Sequence, residues 1–367
     1  MASVISAADT RAQDEVFARP FQLLEEGIRH RAFPAASVAI CYAGRIVALK
    51  AFGRFTYDEN APDVTLQSIF DLASLTKVIA TTSMAMILWQ RGRLDLEEPL
   101  VEVLPEFVSD DPRRRKVTIR MLLGHSSGLP AYEKLFLRAP TKDALLGEAF
   151  SVPLIRTPGT HSEYSDIGFI LLGLALERTA GEPLDRFCDR EIFTPVEMKE
   201  TSFNPSMRWH GRIPPTCEDR SFRKRVVQAE VQDENASVMG GVAGHAGLFS
   251  SAMNVAVFAQ LMLAGGAPIF TREVITRFSR RESSPAGTSR ALGWDTPSAP
   301  SQSGNWFSPS SFGHLGYTGT SLWIDPERGL SITLLTNRTW PDCSNQAIKE
   351  VRPRFHDAVL EALNGKR

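Results

Sequence analysis

The sequence predicts an α/β fold in which strands from both chain ends form one sheet and a mainly helical region is inserted between them. Two observations predict it: strand pairs stand near both termini, and strongly apolar helical stretches fill the middle. Near the start, residues 37–42 and 46–51 are apolar runs broken by Ala43-Gly44, the pattern of a hairpin. Near the end, residues 320–324 and 330–336 flank Asp325-Pro326-Glu327-Arg328-Gly329, with proline and glycine where turns favour them. A last amphipathic run, residues 345–363, reads as a helix, against which Pro353 is a local objection. In the middle, residues 74–90 are apolar nearly all round and read as a buried helix that stops near Gly92. Residues 167–179, ending at Ala180-Gly181, give a second helix, and residues 254–263 a third. The segments between them, rich in proline and charge, read as loops and short helices.

Composition narrows the function classes. With 367 residues the chain can bury a large core without disulfide or metal staples. Its 41 basic and 42 acidic side chains nearly cancel, whereas a nucleic-acid binder shows a net basic footprint. Arg113-Arg114-Arg115-Lys116 after Asp110-Asp111-Pro112 reads as a solvated charged loop. The cysteines at 41, 188, 217 and 343 are scattered and read as reduced, mostly buried thiols. No HxxxH or HxH pair offers a metal site, so neither metal nor cofactor is expected. No apolar run reaches the ~18 residues of a membrane span. The first twenty residues lack the apolar core of a leader peptide, so a cytoplasmic enzyme is expected.

The chemistry starts at Ser74-Leu75-Thr76-Lys77. A serine hydroxyl needs a base to take its proton, and on a helix positions i and i+3 share a face. A lysine sunk among Leu72, Ala73, Val78, Ile79 and Ala80 has its charged form disfavoured and can exchange protons near neutral pH. Ninety residues on stands Tyr164-Ser165-Asp166; a tyrosine beside a cationic lysine can have its pKa lowered and act as base. The bland alternative makes Asp166 the N-cap of the following helix. Further along, Phe312-Gly313-His314-Leu315-Gly316-Tyr317-Thr318-Gly319-Thr320 carries glycines that let a strand edge approach a ligand. His314 offers a donor or a positive charge there, and the Tyr317 N–H can complete an oxyanion hole with that of Ser74.

Two other serines compete. Ser221-Phe222-Arg223-Lys224 repeats Ser-x-x-Lys among arginines that would keep its lysine solvated. Gly124-His125-Ser126-Ser127-Gly128 fits the Gly-x-Ser-x-Gly nucleophile elbow of α/β-hydrolases, but an elbow needs a strand before it and a helix after it. Residues 119–123 read as strand or helix, and Gly128-Leu129-Pro130 opposes a helix after it.

The order Ser-x-x-Lys, Tyr-Ser-Asp, His-Leu-Gly resembles the three motifs of serine β-lactamases and penicillin-binding proteins, above all the class C branch with its esterases and DD-peptidases. Phe33-Pro34-Ala35-Ala36-Ser37-Val38-Ala39 is similar to that family's opening strand, and residues 122–130 (LLGHSSGLP) to its "LLxHTSGLP" loop. Ile192-Phe193-Thr194-Pro195 and residues 241–250 also match. The resemblance implies a β-lactamase/DD-peptidase-like fold, an antiparallel sheet flanked by helices, with the site in the cleft beside an inserted helical part. The α/β part would span about residues 15–72 plus 235–367, and the helical part about 73–234.

By the same resemblance Ser74 attacks an ester, amide or lactam carbonyl and forms an acyl-enzyme that water cleaves. Lys77 and Tyr164 manage the protons, and the N–H groups of Ser74 and Tyr317 hold the oxyanion. His314 steadies the network or a substrate carboxylate, with Asp166 and Gly316 lining the substrate site. Asp166 departs from the family's usual asparagine. An ionised aspartate cannot donate to the acyl side chain; paired with Lys77 it would keep the amine charged and shift the base role to Tyr164. Small esters or amides are therefore expected ahead of D-Ala-D-Ala peptides and β-lactams. A non-enzymatic rival is a penicillin-fold sensor that acylates without turning over.

Overall fold

Ala35–Tyr42 (β1) and Arg45–Gly53 (β2) form the expected hairpin. Its two turn residues, Ala43 (φ 49°) and Gly44 (φ 79°), both have left-handed backbones, the combination that matches the twist of paired strands. The structure, a computed structural model, describes residues 10–365. The strand Phe70–Asp71 (β3) leads into the site. Ser202–Phe203 (β4), Cys217–Asp219 (β5), Arg225–Val227 (β6) and Leu248–Ser250 (β7) are short strands of the middle region. Phe312–Leu315 (β8), Ser321–Asp325 (β9) and Leu330–Thr336 (β10) close the sheet.

The main sheet has the order β2-β1-β10-β9-β8, every pair antiparallel. Pairing β1 with β10, from Ala36 opposite Thr336 to Tyr42 opposite Leu330, joins the two ends of the chain. Both faces are covered, which is why these strands read as continuous apolar runs rather than alternating ones. Along β1, Ala35, Ala39 and Cys41 enter the larger core beneath the helix Ala252–Leu263. Ala36, Val38 and Ile40 face the opposite way, into a second core formed with Ala18–Arg29 and Ile348–Asn364. A three-stranded sheet, β3-β7-β4, links the segment before Ser74 to the glycine-rich segment before β7.

Pro353 lies inside the carboxy-terminal helix Ile348–Asn364. The carbonyl of Lys349, which a proline four residues on cannot serve, instead accepts a hydrogen bond from Gln302 Nε2 at 3.0 Å. The first central helix begins one residue after Ser74, with a π-helical stretch, Lys77–Thr82, before the α-helical Ser83–Gln90, and stops at Gly92 (φ 65°). The helix Asp166–Ala180 ends at Gly181 (φ 71°) as expected. Its N-cap is Ser165, whose Oγ accepts the Gly168 N–H at 3.0 Å; Asp166 is the first helical residue, so its carboxylate is free for other work. Gly173 of this helix lies so close to Gly244 that an added Cβ would stand 2.8 Å from the Gly244 Cα. That contact brings the segment carrying His245 down onto the helix.

The basic run 113–116 is not a solvated loop throughout. Arg114 is buried, stacks 4.5 Å from the Phe107 ring centroid, and donates to the carbonyls of Phe107, Phe150 and Val152. Three otherwise unserved carbonyls reward burial of one cation. All four cysteines are free thiols, three of them buried. Among the described residues no helix is long and apolar enough to cross a membrane. The leader-peptide expectation rests on residues 1–20, of which 1–9 lie outside the described residues.

Candidate active site

Ser74 is placed by a tight turn rather than by its helix alone. Asp71, buried at the end of β3, accepts the Ala73 N–H at 2.8 Å and the Gln232 N–H at 2.7 Å. Burial pushes its carboxyl up to about 6, against the pull of those two bonds. Ala73 is left-handed (φ 47°), a strained conformation held by these bonds and by Thr76 Oγ1 donating to its carbonyl at 2.6 Å. The loop between β8 and β9 clamps the same turn: Thr318 Oγ1 donates to Asp71 O at 2.8 Å and Thr320 Oγ1 to Leu72 O at 3.0 Å. Gly316 permits this, because a Cβ there would meet Leu72 O at 2.6 Å and the Thr320 hydroxyl. Gly313 and Gly319 likewise admit Trp323 and Arg338. The glycines of this segment therefore serve the approach of protein to protein, not only of ligand to strand.

Two groups converge on the Ser74 hydroxyl, one from the next turn of its own helix and one from a distant segment. Its Oγ lies 3.0 Å from Lys77 Nζ and 2.6 Å from Tyr164 Oη. Lys77 is fully buried, and its other two donors reach Asp166 Oδ1 at 2.6 Å and His245 O at 2.9 Å. Burial drives the Lys77 amine below its ordinary value, and the Asp166 carboxylate only partly restores it. Tyr164 departs from expectation. Burial first, then the Asp166 carboxylate, raise its phenol well above the usual value, outweighing its bond to Ser74 and the Arg290 charge. The lowering expected from a nearby lysine is absent, and burial sets the direction.

Tyr164 is held by the loop at 122–130. His125 Nδ1 accepts the Ser165 N–H at 3.1 Å, and its ring lies 4.8 Å from that of Tyr164. Ser165 Oγ donates to Pro130 O at 2.6 Å, and the carbonyls of His125 and Ala131 take the Glu163 and Asp166 N–H groups. This loop is a cradle for the tyrosine. Ser126 belongs to that cradle, its carbonyl accepting the Gly159 N–H at 2.8 Å. The segment before it, Ile119–Leu123, is helix, and no helix follows directly, so the strand-turn-helix context of a nucleophile elbow is missing. Ser221 sits in a turn organised by Asp219, and Lys224 is exposed with a left-handed backbone, so that pair shares no helix face.

A cavity of about 780 Å³ opens over these groups, with Ser74, Tyr164, Asp166, His314, Gly316 and Tyr317 in its wall. The Ser74 and Tyr317 N–H groups have no partner among the described hydrogen bonds, as oxyanion donors require. His314 is buried and neutral rather than cationic: burial, with Lys77 and Arg290 nearby, holds it well below its usual value. Its Nδ1 donates to Leu315 O at 2.8 Å, which leaves Nε2 as an unpartnered acceptor.

Sequence reasoning missed Arg290 and Asp233. The Arg290 guanidinium lies 5.6 Å from the Tyr164 ring centroid and 3.6 Å from Asp295, whose backbone pairs with Gly313 beside His314. Its one local signal is the turn Ala291-Leu292-Gly293-Trp294, closed by Ala291 N–H to Trp294 O at 2.9 Å, which aims Arg290 and Asp295 the same way. Asp233 accepts from His245 Nε2 at 2.8 Å and so fixes the residue whose carbonyl holds Lys77. Among the described residues no group of three His, Cys, Asp or Glu side chains is placed to hold a metal ion.

A family model described as Beta-lactamase matches residues 21–351. An N-acetylmuramyl-L-alanine amidase of Bacillus subtilis (strain 168) is 31% identical over 377 residues, covering 91% of this chain and 84% of that protein. A putative D-alanyl-D-alanine carboxypeptidase of Escherichia coli (strain K12) is 32% identical over 343 residues, covering 83% and 79%. Among solved structures, EstCE1, a hydrolase with promiscuous acyltransferase activity, shares the fold with a TM-score of 0.76 at 20% identity, over 95% of this chain and 99% of that one.

Proposed function

This chain belongs to the beta-lactamase family, and from that premise we propose that it hydrolyses small amides or esters through an acyl-enzyme on Ser74. One observation carries the reading: the Ser74 hydroxyl lies between the Lys77 amine, at 3.0 Å, and the Tyr164 phenol, at 2.6 Å. Lys77, its charged form disfavoured by burial, takes the Ser74 proton as the hydroxyl attacks the carbonyl and returns it to the Ser74 oxygen when water cleaves the acyl-enzyme, with the Asp166 carboxylate 2.6 Å away offsetting the ammonium charge in between. The unpartnered Ser74 and Tyr317 N–H groups receive the oxyanion. Tyr164, kept protonated by its raised pKa, gives its proton to the leaving group and regains one from the water that later cleaves the ester. A protonated phenol matters most when an amine must leave, which favours amides. The names of the two relatives, an amidase and a putative carboxypeptidase, agree with that preference.

Asp166 directs substrate choice. Its carboxylate faces the cavity as an acceptor, so acyl groups that offer an N–H or O–H fit better than those that present a carbonyl. The test is a panel of p-nitrophenyl esters, nitrocefin, a D-Ala-D-Ala peptide and N-acetylmuramyl-L-alanine, with intact-mass detection of a fluorophosphonate adduct on Ser74. Turnover of an ester or amide with a Ser74 adduct supports the reading. An adduct that persists with no substrate turned over would make the chain a sensor, and nitrocefin outpacing every ester and amide would reverse the substrate order.

A further inference from the structure

We propose that Cys217 and Cys343 form a reversible disulfide that ties β5 to the segment 337–345 and slows turnover in the neighbouring cavity. The two segments already adjoin: the Glu218 N–H donates to Pro341 O at 2.9 Å, one residue from Cys217 and two from Cys343. Gln232 Nε2 donates to Cys343 Sγ at 3.6 Å, and each thiol perturbs the ionisation of the other, as neighbouring groups do. Cys217 is buried, whereas Cys343 is half-buried and lies in the wall of the cavity that holds Ser74, where a small oxidant can reach it. The neighbouring Cys217 thiol holds the Cys343 thiol below its ordinary value; burial opposes this and the Arg338 charge adds to it. Access sets the roles: Cys343, in the cavity wall, meets the oxidant first, and the buried Cys217 resolves it.

With hydrogen peroxide as oxidant, the Cys343 thiolate attacks one oxygen, breaking the O–O bond and releasing hydroxide, to give a sulfenic acid. The Cys217 thiol then attacks Cys343 Sγ; the S–S bond forms, hydroxide leaves and takes the Cys217 proton as water. Two thiols and one peroxide become one disulfide and two waters. Closing that bond to about 2.05 Å draws Cys343 toward β5. Arg338 feels the pull, because its Nη1 donates to Cys343 O at 2.9 Å and Asn345 O at 2.7 Å, while its Nε donates to Tyr317 O at 2.6 Å. The Tyr317 N–H belongs to the proposed oxyanion hole, so the effect on turnover rests on the reading above; the linkage itself does not.

The test treats the full chain with hydrogen peroxide and measures intact mass, free thiols after unfolding, cross-linked peptides and ester turnover. We expect a loss of about 2 Da, thiols falling from four to two, a Cys217–Cys343 peptide, and turnover reduced about five-fold or more and restored by dithiothreitol. Cys217→Ser keeps basal turnover, and its Cys343 gains oxygen instead of losing hydrogen. Four thiols remaining after treatment, a disulfide with another partner, or the expected linkage with turnover unchanged would each overturn the proposal. Were no substrate turned over at all, mass and thiol count would still decide the linkage, which separates its failure from that of the proposed hydrolysis.

Discussion

Asp166 Oδ1 stands 2.6 Å from Lys77 Nζ, nearer than the 3.0 Å between that amine and Ser74 Oγ. The carboxylate is the main influence that opposes burial and favours the charged amine, and it also raises the Tyr164 phenol. In Asp166→Asn both effects vanish. The Lys77 pKa falls further, so the acid limb of kcat/KM, which reports the free enzyme's base, moves to lower pH. An amide at 166 can also donate to an acyl carbonyl, and nitrocefin turnover rises about ten-fold relative to p-nitrophenyl acetate. A limb that stays in place or moves upward contradicts Lys77 as the base.

Tyr164→Phe separates leaving groups. An amine must be protonated before it departs, whereas p-nitrophenolate leaves unaided. We expect amide turnover to fall about 10²–10⁴-fold and p-nitrophenyl ester turnover by less than about ten-fold. Equal losses on both substrates would mean that the phenol acts on Ser74 and not on the leaving group.

Asp71 links the turn that carries Ser74 to stability. Its folded pKa, about 6, lies above the unfolded carboxylate value, so the folded state binds the proton more tightly. The resulting stability is fully present below pH ~3.9 and is lost as pH rises through about 6, to a ceiling on the order of 3 kcal/mol. Asp71→Asn cannot titrate, and its amide must turn a donor toward the N–H of Ala73 or Gln232. Thermal melts should show wild type ahead of the variant by more at pH 4 than at pH 7. Parallel melting curves across that range would mean that Asp71 titrates as it does in the unfolded chain.

What the sequence made legible follows period and chemistry. The hairpins and the three central helices were readable because burial repeats along each element, and the Ser74–Lys77 pair because a serine needs a base one helical turn away; Tyr164 was joined to them only by the resemblance of the three ordered motifs. The roles set by neighbours from elsewhere were not readable. Ser165 takes the cap and frees Asp166 for Lys77, a choice that depends on Pro130 O lying opposite. Arg114 looks like part of a solvated run until three carbonyls from 107, 150 and 152 surround it. The direction of the Tyr164 shift depends on its degree of burial, which no local pattern encodes.

Arg290 should act opposite to Asp166. Its charge lowers the Lys77 amine and the Tyr164 phenol, and it lies 5.6 Å from the Tyr164 ring centroid with Asp295 as its anchor. Replacing it with glutamine removes a cation that disfavours protonated Lys77, so the acid limb of kcat/KM moves to higher pH while that of Asp166→Asn moves lower. Arg290→Lys keeps the charge and restores most of the wild-type profile. Asp295 retains its bond from Ser289 Oγ at 2.7 Å and its pairing with Gly313, so the β8 edge should stay in place and melting should change little. A merely structural arginine would lower Tm and kcat without moving the pH limb; a shift in the same direction for Arg290→Gln and Asp166→Asn would show that the limb does not report Lys77.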